Sequence, residues 1–263
     1  MTQWPDDHSD HGRVYKWLKA ATIEYRFRPG EQIVIGDLAE RLRVSCTPVR
    51  ETLIRLQAEE LLDPAPRRGF FAKTLSLKEM IDLFRFRFLI SKTSIEQAAG
   101  DFAEAVLDTA PSLTSGAGNP KEAASLVDTT DRKLHDDVTY AERIGEWVAT
   151  LAGNDVLVRG IRNANNRTHY VRMIDFEDAD RASGVRSTNA LLLAALRRKD
   201  SSAAVAALQR NLDVQIDRLP AIIKEGISRA YTSPSWAEIP PRLDPPQTPS
   251  GMPIAGRAMN ARR

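Results

Sequence analysis

The stretch DLAERLRVSCTPVRETLIRLQAEE, residues Asp37 to Glu60, decides the fold of the first part of this chain. It predicts two short helices separated by a tight turn. The first helix runs from Asp37 to about Leu42, and Glu40 follows Asp37 at the three-residue spacing of a capping box. The apolar residues of this helix lie on one side, so the helix is expected to pack against a neighbour.

The second helix is predicted to begin near Ser45 or Thr47. Either hydroxyl can cap its free backbone N–H groups, and Pro48 is tolerated in a first helical turn. Its apolar residues recur at i, i+4 and i+7 and turn inward: Val49, Leu53 and Leu56. The polar residues at its start are left facing outward: Ser45, Cys46, Thr47 and Arg50. This geometry is typical of helices that enter the DNA major groove, although an ordinary solvated helical hairpin has the same spacing.

The flanking segments favour the DNA-binding interpretation. A helical pattern over Gly12–Tyr25 precedes the stretch, and residues 26–31 have the composition of a turn. After it, two short apolar runs, residues 61–64 and 69–72, enclose a tip with two arginines and a glycine. Such runs predict a small β-hairpin. A helix, a helix-turn-helix and a basic-tipped hairpin together predict a winged helix.

Residues 13–75 resemble the DNA-binding domain of the GntR family of bacterial transcription regulators. The matching residues are Arg28-Pro29-Gly30-Glu31, Leu38-Ala39-Glu40-Arg41-Leu42, Val44-Ser45, Thr47-Pro48-Val49-Arg50-Glu51, Leu56, Leu61, Arg68 and Gly69. The resemblance implies that Ser45, Thr47 and Arg50 contact an operator and that Arg68 and Gly69 lie in the wing. The remaining expected DNA-binding residues are Cys46, Arg41, Arg43, Arg55 and Arg67.

Two residues depart from the family's pattern. Cys46 stands where the family usually has arginine, and Glu60 stands where it usually has glycine. An arginine at the start of a recognition helix can contact guanine with two hydrogen bonds, and a cysteine cannot. We therefore expect an operator that differs from the family's usual one or depends more on Arg50.

Length and composition set further bounds. A chain of 263 residues with 42% hydrophobic residues can form two domains with buried cores. Mean hydropathy is −0.35 and no run of residues is apolar enough to span a membrane. The acidic N-terminus does not resemble a secretion signal, and a single cysteine cannot form an internal disulfide. These features predict a cytoplasmic protein. The net charge is only +2, but residues 13–75 hold twelve basic and eight acidic residues, an excess of four that supports phosphate contacts.

The rest of the chain predicts a second, all-helical domain over residues 76–228, in which Ser76 caps the first helix and a later helix runs from Arg186 to Lys199. Residues 1–12 and the proline-rich residues 229–263 are expected to be disordered. A short helical segment over 103–109 and a loop over 111–120 are also expected. The fold class is thus mainly α: a winged helix-turn-helix with a small hairpin wing, then a helical bundle. The bundle resembles the FCD effector domain of one GntR subfamily, in Asp131-x-x-x-His135, in Gly153-Asn154-x-x-Leu157 and in residues 189–212.

The FCD resemblance implies a ligand site in the bundle. In that subfamily, an aspartate and a histidine at the positions of Asp131 and His135 bind a divalent metal with two later histidines. This chain has Asn189 and Asn211 at the two later positions, and amide oxygens are poor ligands for a transition metal. Three interpretations stay open: a metal-free pocket for an organic acid, a weakened metal site, or a simple surface pair. Candidate partners for a ligand carboxylate are Arg162 and Arg172, and His169 is a further candidate ligand.

The leading hypothesis is a ligand-responsive transcription regulator, not an enzyme. A single winged helix contacts a short half-site, so we expect a homodimer on a palindromic operator. A small-molecule effector, with a carboxylic acid as one candidate, would change operator affinity, and repression is the expected outcome. The alternative is an all-helical metal- or metabolite-binding protein or enzyme that uses Asp131 and His135. Against this alternative, the sequence has no nucleophile–base set and no phosphate-binding glycine loop.

Overall fold

The computed structural model describes residues 10–65, 69–98, 109–111 and 129–232. Several predicted segments fall outside these ranges: most of the two tails, the short helix over 103–109 except its last residue, most of the loop over 111–120, and the start of the helical segment that follows the loop. The described parts of the tails, residues 10–12 and 229–232, are helical, so the prediction of disorder is wrong for them. The elements below are numbered along the described part of the chain.

The first domain is a winged helix-turn-helix. Its elements are α1 (Asp10–Ile23), β1 (Gln32–Ile33), α2 (Ile35–Leu42), α3 (Cys46–Ala58), β2 (Leu62–Ala65) and β3 (Gly69–Ala72). The three strands form an antiparallel sheet in the order β1-β3-β2, and Asp63 pairs with Phe71 across the β2–β3 hairpin. The predicted winged helix, including its hairpin, is therefore confirmed.

The core of this domain explains why α3 forms and where it faces. The fully buried apolar residues come from α1, α2 and α3: Val14, Leu18, Leu38, Val49, Leu53 and Leu56. Burial of such a side chain contributes about 1.5–3 kcal/mol. The i, i+4, i+7 spacing on α3 holds its inner face against α1 and leaves the start of the helix in solvent.

The predicted capping of the first short helix is wrong. Helix α2 begins at Ile35, two residues before Asp37, and its N-cap residue Val34 makes no side-chain capping hydrogen bond. The helix ends where Arg43 takes a left-handed backbone conformation, with φ of 54°. Ser45 is the N-cap residue of α3 as predicted, yet its hydroxyl accepts no capping hydrogen bond in the described structure.

The second domain is all-helical over its described residues. Its elements are α4 (Leu77–Gln97), α5 (Thr129–Thr150), α6 (Asp155–Phe176), α7 (Ala179–Arg197) and α8 (Ser201–Thr232). Ser76 caps α4 as predicted, because its hydroxyl accepts a hydrogen bond from the Glu79 backbone N–H at 3.4 Å. No helix in these ranges is long and apolar enough to cross a membrane.

Two helix boundaries differ from the predictions. Helix α7 begins seven residues before the predicted Arg186, because Asp178 accepts hydrogen bonds from the backbone N–H groups of residues 180 and 181. Helix α8 continues through Pro220 to Thr232, so the helical domain extends four residues beyond its predicted end at 228. The central helix is α6, which packs against α4, α5, α7 and α8 and also approaches α1.

Candidate DNA-contacting surface and ligand cavity

The start of α3 is a polar surface in solvent, here called the recognition end: Ser45, Cys46, Thr47 and Arg50. All four side chains are exposed. The first backbone N–H groups of a helix have no partner within the helix, and the helix dipole is positive there. The recognition end therefore combines a guanidinium, two hydroxyls and free N–H groups, a combination that suits the phosphates and base edges of DNA.

The other predicted DNA-binding arginines lie in different surroundings. Arg43 is exposed in the turn before α3, and Arg41 on α2 is half-buried. Arg55 lies three turns along α3, where its Nε donates to Glu59 at 3.1 Å and its guanidinium stacks 3.6 Å from the ring centre of Tyr15 on α1. Arg55 thus joins α3 to α1, and it is a weaker candidate for DNA contact than Arg50.

The wing tip is only partly described. Arg67 and Arg68 lie outside the described residues, whereas Gly69 is exposed at the start of β3. Its backbone φ is +98°, a conformation that side chains with a Cβ disfavour. Glycine is therefore required at this point for the hairpin to turn.

The helical domain encloses a cavity of about 70 Å³. Three of the predicted effector residues line it together: Arg172 on α6, Asn189 on α7 and Asn211 on α8. The cavity is also lined by three residues that were not predicted from the sequence: Arg87 and Ser91 on α4 and Gln215 on α8. The sequence pattern does indicate that Arg87 faces inward, because it shares one helix face with buried residues at helical spacing: Met80, Phe84, Ser91 and Ile95.

Arg172 is the most buried charged group of the cavity, with 1% of its surface exposed. Its Nη1 donates to Glu142 at 3.1 Å and its Nη2 donates to the Val138 carbonyl at 3.1 Å. Nδ1 of His169 lies 2.9 Å from the same Glu142 oxygen. Burial opposes ionisation of Glu142, but Arg172, His169 and Arg87 outweigh it and hold the pKa of that carboxyl below its ordinary value.

Arg87 brings a second guanidinium to the cavity. Its Nε donates to the Asn165 side-chain oxygen at 3.0 Å, and it forms no ion pair within the described part of the chain. Burial, and then the charge of Arg172, lower the pKa of Arg87 to about 9. The guanidinium therefore stays charged at neutral pH, and the cavity holds two positive charges close together.

The two asparagines have amide donors that make no hydrogen bond to the described part of the protein. The Asn211 side-chain oxygen accepts a hydrogen bond from Arg181 at 2.9 Å, so its NH₂ group remains for other partners. Asn189 is 6% exposed, and its Nδ2 has no hydrogen-bond partner among the described residues. The contact with Arg181 therefore holds Asn211 as a donor, and Asn189 adds a buried donor without a partner.

Two other predicted effector residues, His135 and Arg162, do not line this cavity. His135 is exposed near the start of α5, and Arg162 is exposed on α6 and pairs with Glu146 at 2.9 Å. The α5 residues that line the cavity with the asparagines lie two to four turns beyond His135: Ala141, Ile144, Gly145 and Val148. The side chain of Asp131 lies outside the described structure.

Comparison with known proteins fixes the class of the chain. It is 29% identical over 213 residues to the Nta operon transcriptional regulator of Aminobacter aminovorans, covering 80% of this chain and 94% of that protein. Residues 11–72 match the model of the bacterial regulatory proteins of the gntR family. Residues 11–72 are a GntR-family DNA-binding domain. The relative that the chain matches along most of its length is a transcriptional regulator.

Solved structures share the fold of this chain along most of its length. Escherichia coli McbR/YncC superposes with a TM-score of 0.57 at 20% identity, covering 81% of this chain and 98% of that one. A putative transcriptional regulator GntR from Rhodococcus sp. RHA1 superposes with a TM-score of 0.57 at 22% sequence identity. The match covers 80% of this chain and 97% of that one. A winged helix followed by a helical domain is therefore the shared architecture.

The metal site implied by the FCD resemblance does not fit this regulator's cavity. The pair on α5 that faces Asn189 and Asn211 at i, i+4 spacing is Ala141 and Gly145, and neither has a ligating side-chain atom. No group of three or more His, Cys, Asp or Glu residues that could hold a metal occurs in the described ranges. Amides and guanidiniums do not replace the lost imidazoles as ligands for zinc or nickel.

The two domains of the regulator meet at the C-terminal end of α3. Asn163 on α6 donates its Nδ2 to the Glu59 carbonyl at 2.6 Å. Arg167, one turn further, pairs with Glu60 through Nη1 and with Glu79 through Nη2, both at 2.5 Å. Glu60 has a left-handed backbone with φ of 58°, which explains why glycine is usual at this position. Here the glutamate side chain supplies an ion pair between the domains.

Further contacts reinforce this junction. The rings of Tyr25 and Tyr170 stack with centroids 4.8 Å apart, and the Tyr231 hydroxyl donates to the Pro29 carbonyl at 3.3 Å. Lys73, at the end of the wing, pairs with Glu79 at 2.7 Å. Burial raises the pKa of Glu79, but Lys73 and Arg167 outweigh it, and the net pKa lies below its ordinary value. Glu79 is therefore a charged anchor between the wing and α6.

Proposed function

We propose that the chain is a homodimeric repressor that binds a palindromic operator through the recognition end of α3. Arg50 and Thr47 contact base edges, Ser45 and Cys46 lie beside them, and Arg43, Arg41 and the wing arginines 67 and 68 contact phosphates. The exposed recognition end, held on a buried apolar face, is the observation that carries this proposal.

Selection of bound duplexes from a random DNA library tests the proposal. We expect a two-fold symmetric motif whose half-sites lie about one helical turn (34–36 Å) apart, because two winged helices of a symmetric dimer contact one face of the duplex. A pool that shows no enriched motif after repeated rounds would contradict sequence-specific binding.

We propose further that an effector in the helical domain controls operator affinity, with a small carboxylic acid as the ligand class. This proposal is supported by helix α6, which contacts both the cavity and the winged helix. One face of α6 brings Arg172 to the cavity, and another brings Asn163 and Arg167 to the end of α3. A ligand that shifts α6 would therefore move the winged helix and change the spacing of the two recognition ends.

We predict that loosening this junction weakens operator binding. Arg167→Ala and Glu60→Gly each remove the α6–α3 ion pair, and the glycine also suits the left-handed backbone at position 60. Each is expected to lower affinity for the selected operator about 10-fold, the value of one charge-assisted hydrogen bond. A dye on the exposed Cys46 should gain a fast rotational component in fluorescence anisotropy decay.

The matched control is Arg162→Ala, which removes an exposed ion pair on the same helix that stays within the helical domain. It should behave as the unmodified protein in both measurements. A Glu60→Gly variant with unchanged operator affinity and unchanged anisotropy decay would show that the ion pair does not couple the domains.

We predict that the outer face of α4 forms the dimer contact. Phe86 is 45% exposed and Leu89 is 56% exposed on this face, and Val156 at the start of α6 is 64% exposed. Leu89→Glu is expected to convert the dimer into a monomer in analytical ultracentrifugation, because it places a charge in an apolar interface. Leu191→Glu, at 57% exposure on α7, is the matched control. A Leu89→Glu protein that sediments as a dimer would refute this interface.

A further inference from the structure

The side chains around the cavity exclude one class of ligand chemistry and favour another. None of the described residues that line it is an aspartate, glutamate, histidine or cysteine. Its polar groups are two guanidiniums, three amides and one hydroxyl. Hydrogen-bond donors dominate such a set, and an anion is the partner that satisfies many donors at once.

We infer that this cavity binds a small carboxylate directly through Arg87 and Arg172, without a metal ion. The inference rests on the proposed function, since the cavity is the proposed effector site. In a metal-dependent pocket the cation holds the ligand carboxylate. Here two guanidiniums supply that positive charge, and the α5 residues that line the cavity with them have no ligating side-chain atom: Ala141, Ile144, Gly145 and Val148.

Unpartnered donors mark where the carboxylate would lie. Nε of Arg172 and Nδ2 of Asn189 are buried, and neither has a hydrogen-bond partner in the described ranges. Buried donors of this kind are rare in folded proteins unless a ligand or an ordered water satisfies them. Arg172 and Asn189 reach the cavity from α6 and α7, so a carboxylate between them would accept hydrogen bonds from both helices.

Carboxylates lie near the two guanidiniums but do not line the cavity. Glu142 is shared between Arg172 and His169, whereas Arg87 hydrogen-bonds the neutral Asn165 oxygen and is acted on by Glu142 and Glu146 without an ion pair. A Cβ at Gly145 would lie 3.8 Å from an Arg87 Nη atom, so position 145 adjoins the guanidinium without supplying a polar group. One bound negative charge would offset the mutual repulsion of Arg87 and Arg172.

The size of the cavity restricts the ligand further. Its volume of about 70 Å³ is roughly half that of a cavity that admits benzene, about 150 Å³. The rest of the lining is apolar and includes Phe84, Phe88 and Leu192. A short aliphatic monocarboxylate, of about two to four carbon atoms, fits both the volume and the walls.

Calorimetric titration with propionate, and with the neutral propionamide of the same shape, tests the inference. The full-length protein is treated with EDTA and then titrated with and without added Zn²⁺ or Ni²⁺. We expect propionate to bind equally in all three conditions and at least 10-fold more tightly than propionamide. Arg87→Met and Asn189→Leu are expected to weaken propionate binding at least 10-fold, whereas Arg159→Met, exposed on α6, should not.

Three outcomes would overturn the inference: propionate binding that appears only after metal is added, equal binding of propionate and propionamide, or no binding of propionate in any condition. None of these measurements contains DNA. Failure of operator binding would therefore refute the proposed function and leave carboxylate binding standing. Metal-dependent carboxylate binding would refute the inference alone.

Discussion

Replacement of Arg50 by alanine is expected to lower affinity for the selected operator about 100-fold, the effect of losing a bidentate contact to guanine. Arg50 is exposed at the recognition end, one turn from the N-terminus of α3. We expect its role to be larger than usual for the family, because Cys46 stands where an arginine is usual and cannot make such a contact. The measurement is fluorescence anisotropy of labelled operator, repeated with each base of the half-site substituted.

The operators with substituted bases distinguish a base contact by Arg50 from a phosphate contact. Arg50→Ala should also relax discrimination at one base position, whereas loss of a phosphate contact would weaken all duplexes equally. Arg159→Ala removes an exposed arginine of the helical domain and serves as the control for lost charge. If Arg50→Ala and Arg159→Ala bind the operator with equal affinity, Arg50 does not contact bases.

Replacement of Arg172 by methionine is expected to destabilise the protein by about 3–5 kcal/mol, the cost of breaking a buried ion pair. The substitution keeps the volume of the side chain but leaves Glu142 with a buried charge and the Val138 carbonyl without its donor. Urea denaturation followed by circular dichroism measures the loss. Adding Glu142→Gln to Arg172→Met should recover part of the stability, because the unpaired charge is then removed.

The same ion pair predicts a pH dependence of stability. The net pKa of Glu142 in the folded protein lies below its ordinary value of 4.5. The ionised Glu142 carboxylate therefore stabilises the folded protein fully at pH values above about 4.5. This stabilisation is lost as the pH falls through the lower pKa that Glu142 has in the folded state. The slope of stability between pH 5 and pH 3 should be smaller in Glu142→Gln than in the unmodified protein. Equal slopes, or an Arg172→Met protein of unchanged stability, would contradict this account of the buried charges.

The winged helix could be predicted from the sequence because its signals are local. The i, i+4, i+7 spacing of Val49, Leu53 and Leu56 fixes the buried face of α3 within the segment itself. The hairpin follows from two apolar runs around a glycine that takes a positive φ. The error was the cap of α2, where Asp37 fits a capping box by spacing but lies inside a helix that begins at Ile35.

The cavity could be predicted only in part, because its lining depends on contacts between distant segments. Asn189 and Asn211 were found because residues 189–212 resemble the family's last two helices, and Arg172 was found as a candidate partner for a ligand carboxylate. Asp131 and His135 were assigned to the cavity because they match a short motif. Which turn of α5 faces the asparagines depends on how α5 packs, and the packing places Ala141 and Gly145 there. Arg87 was missed because an arginine within an apolar stripe resembles a solvated charge.

The junction between the domains combines residues that no single segment reveals. Glu60 could be recognised as a departure from glycine, but its partner Arg167 lies over one hundred positions later. Such a pair is invisible to spacing rules that operate within one helix. Its existence links the C-terminal end of the recognition helix to the helix that carries Arg172.

The most direct test of the central claim, sequence-specific DNA recognition by α3, is the ratio of affinities for the selected operator and for a scrambled duplex of the same composition at physiological salt. We predict a ratio of at least about 1,000, which falls sharply in Arg50→Ala, with both affinities decreasing as salt rises. Equal affinities for the two duplexes in the unmodified protein would show that the recognition end contacts only the phosphate backbone, and would contradict the account.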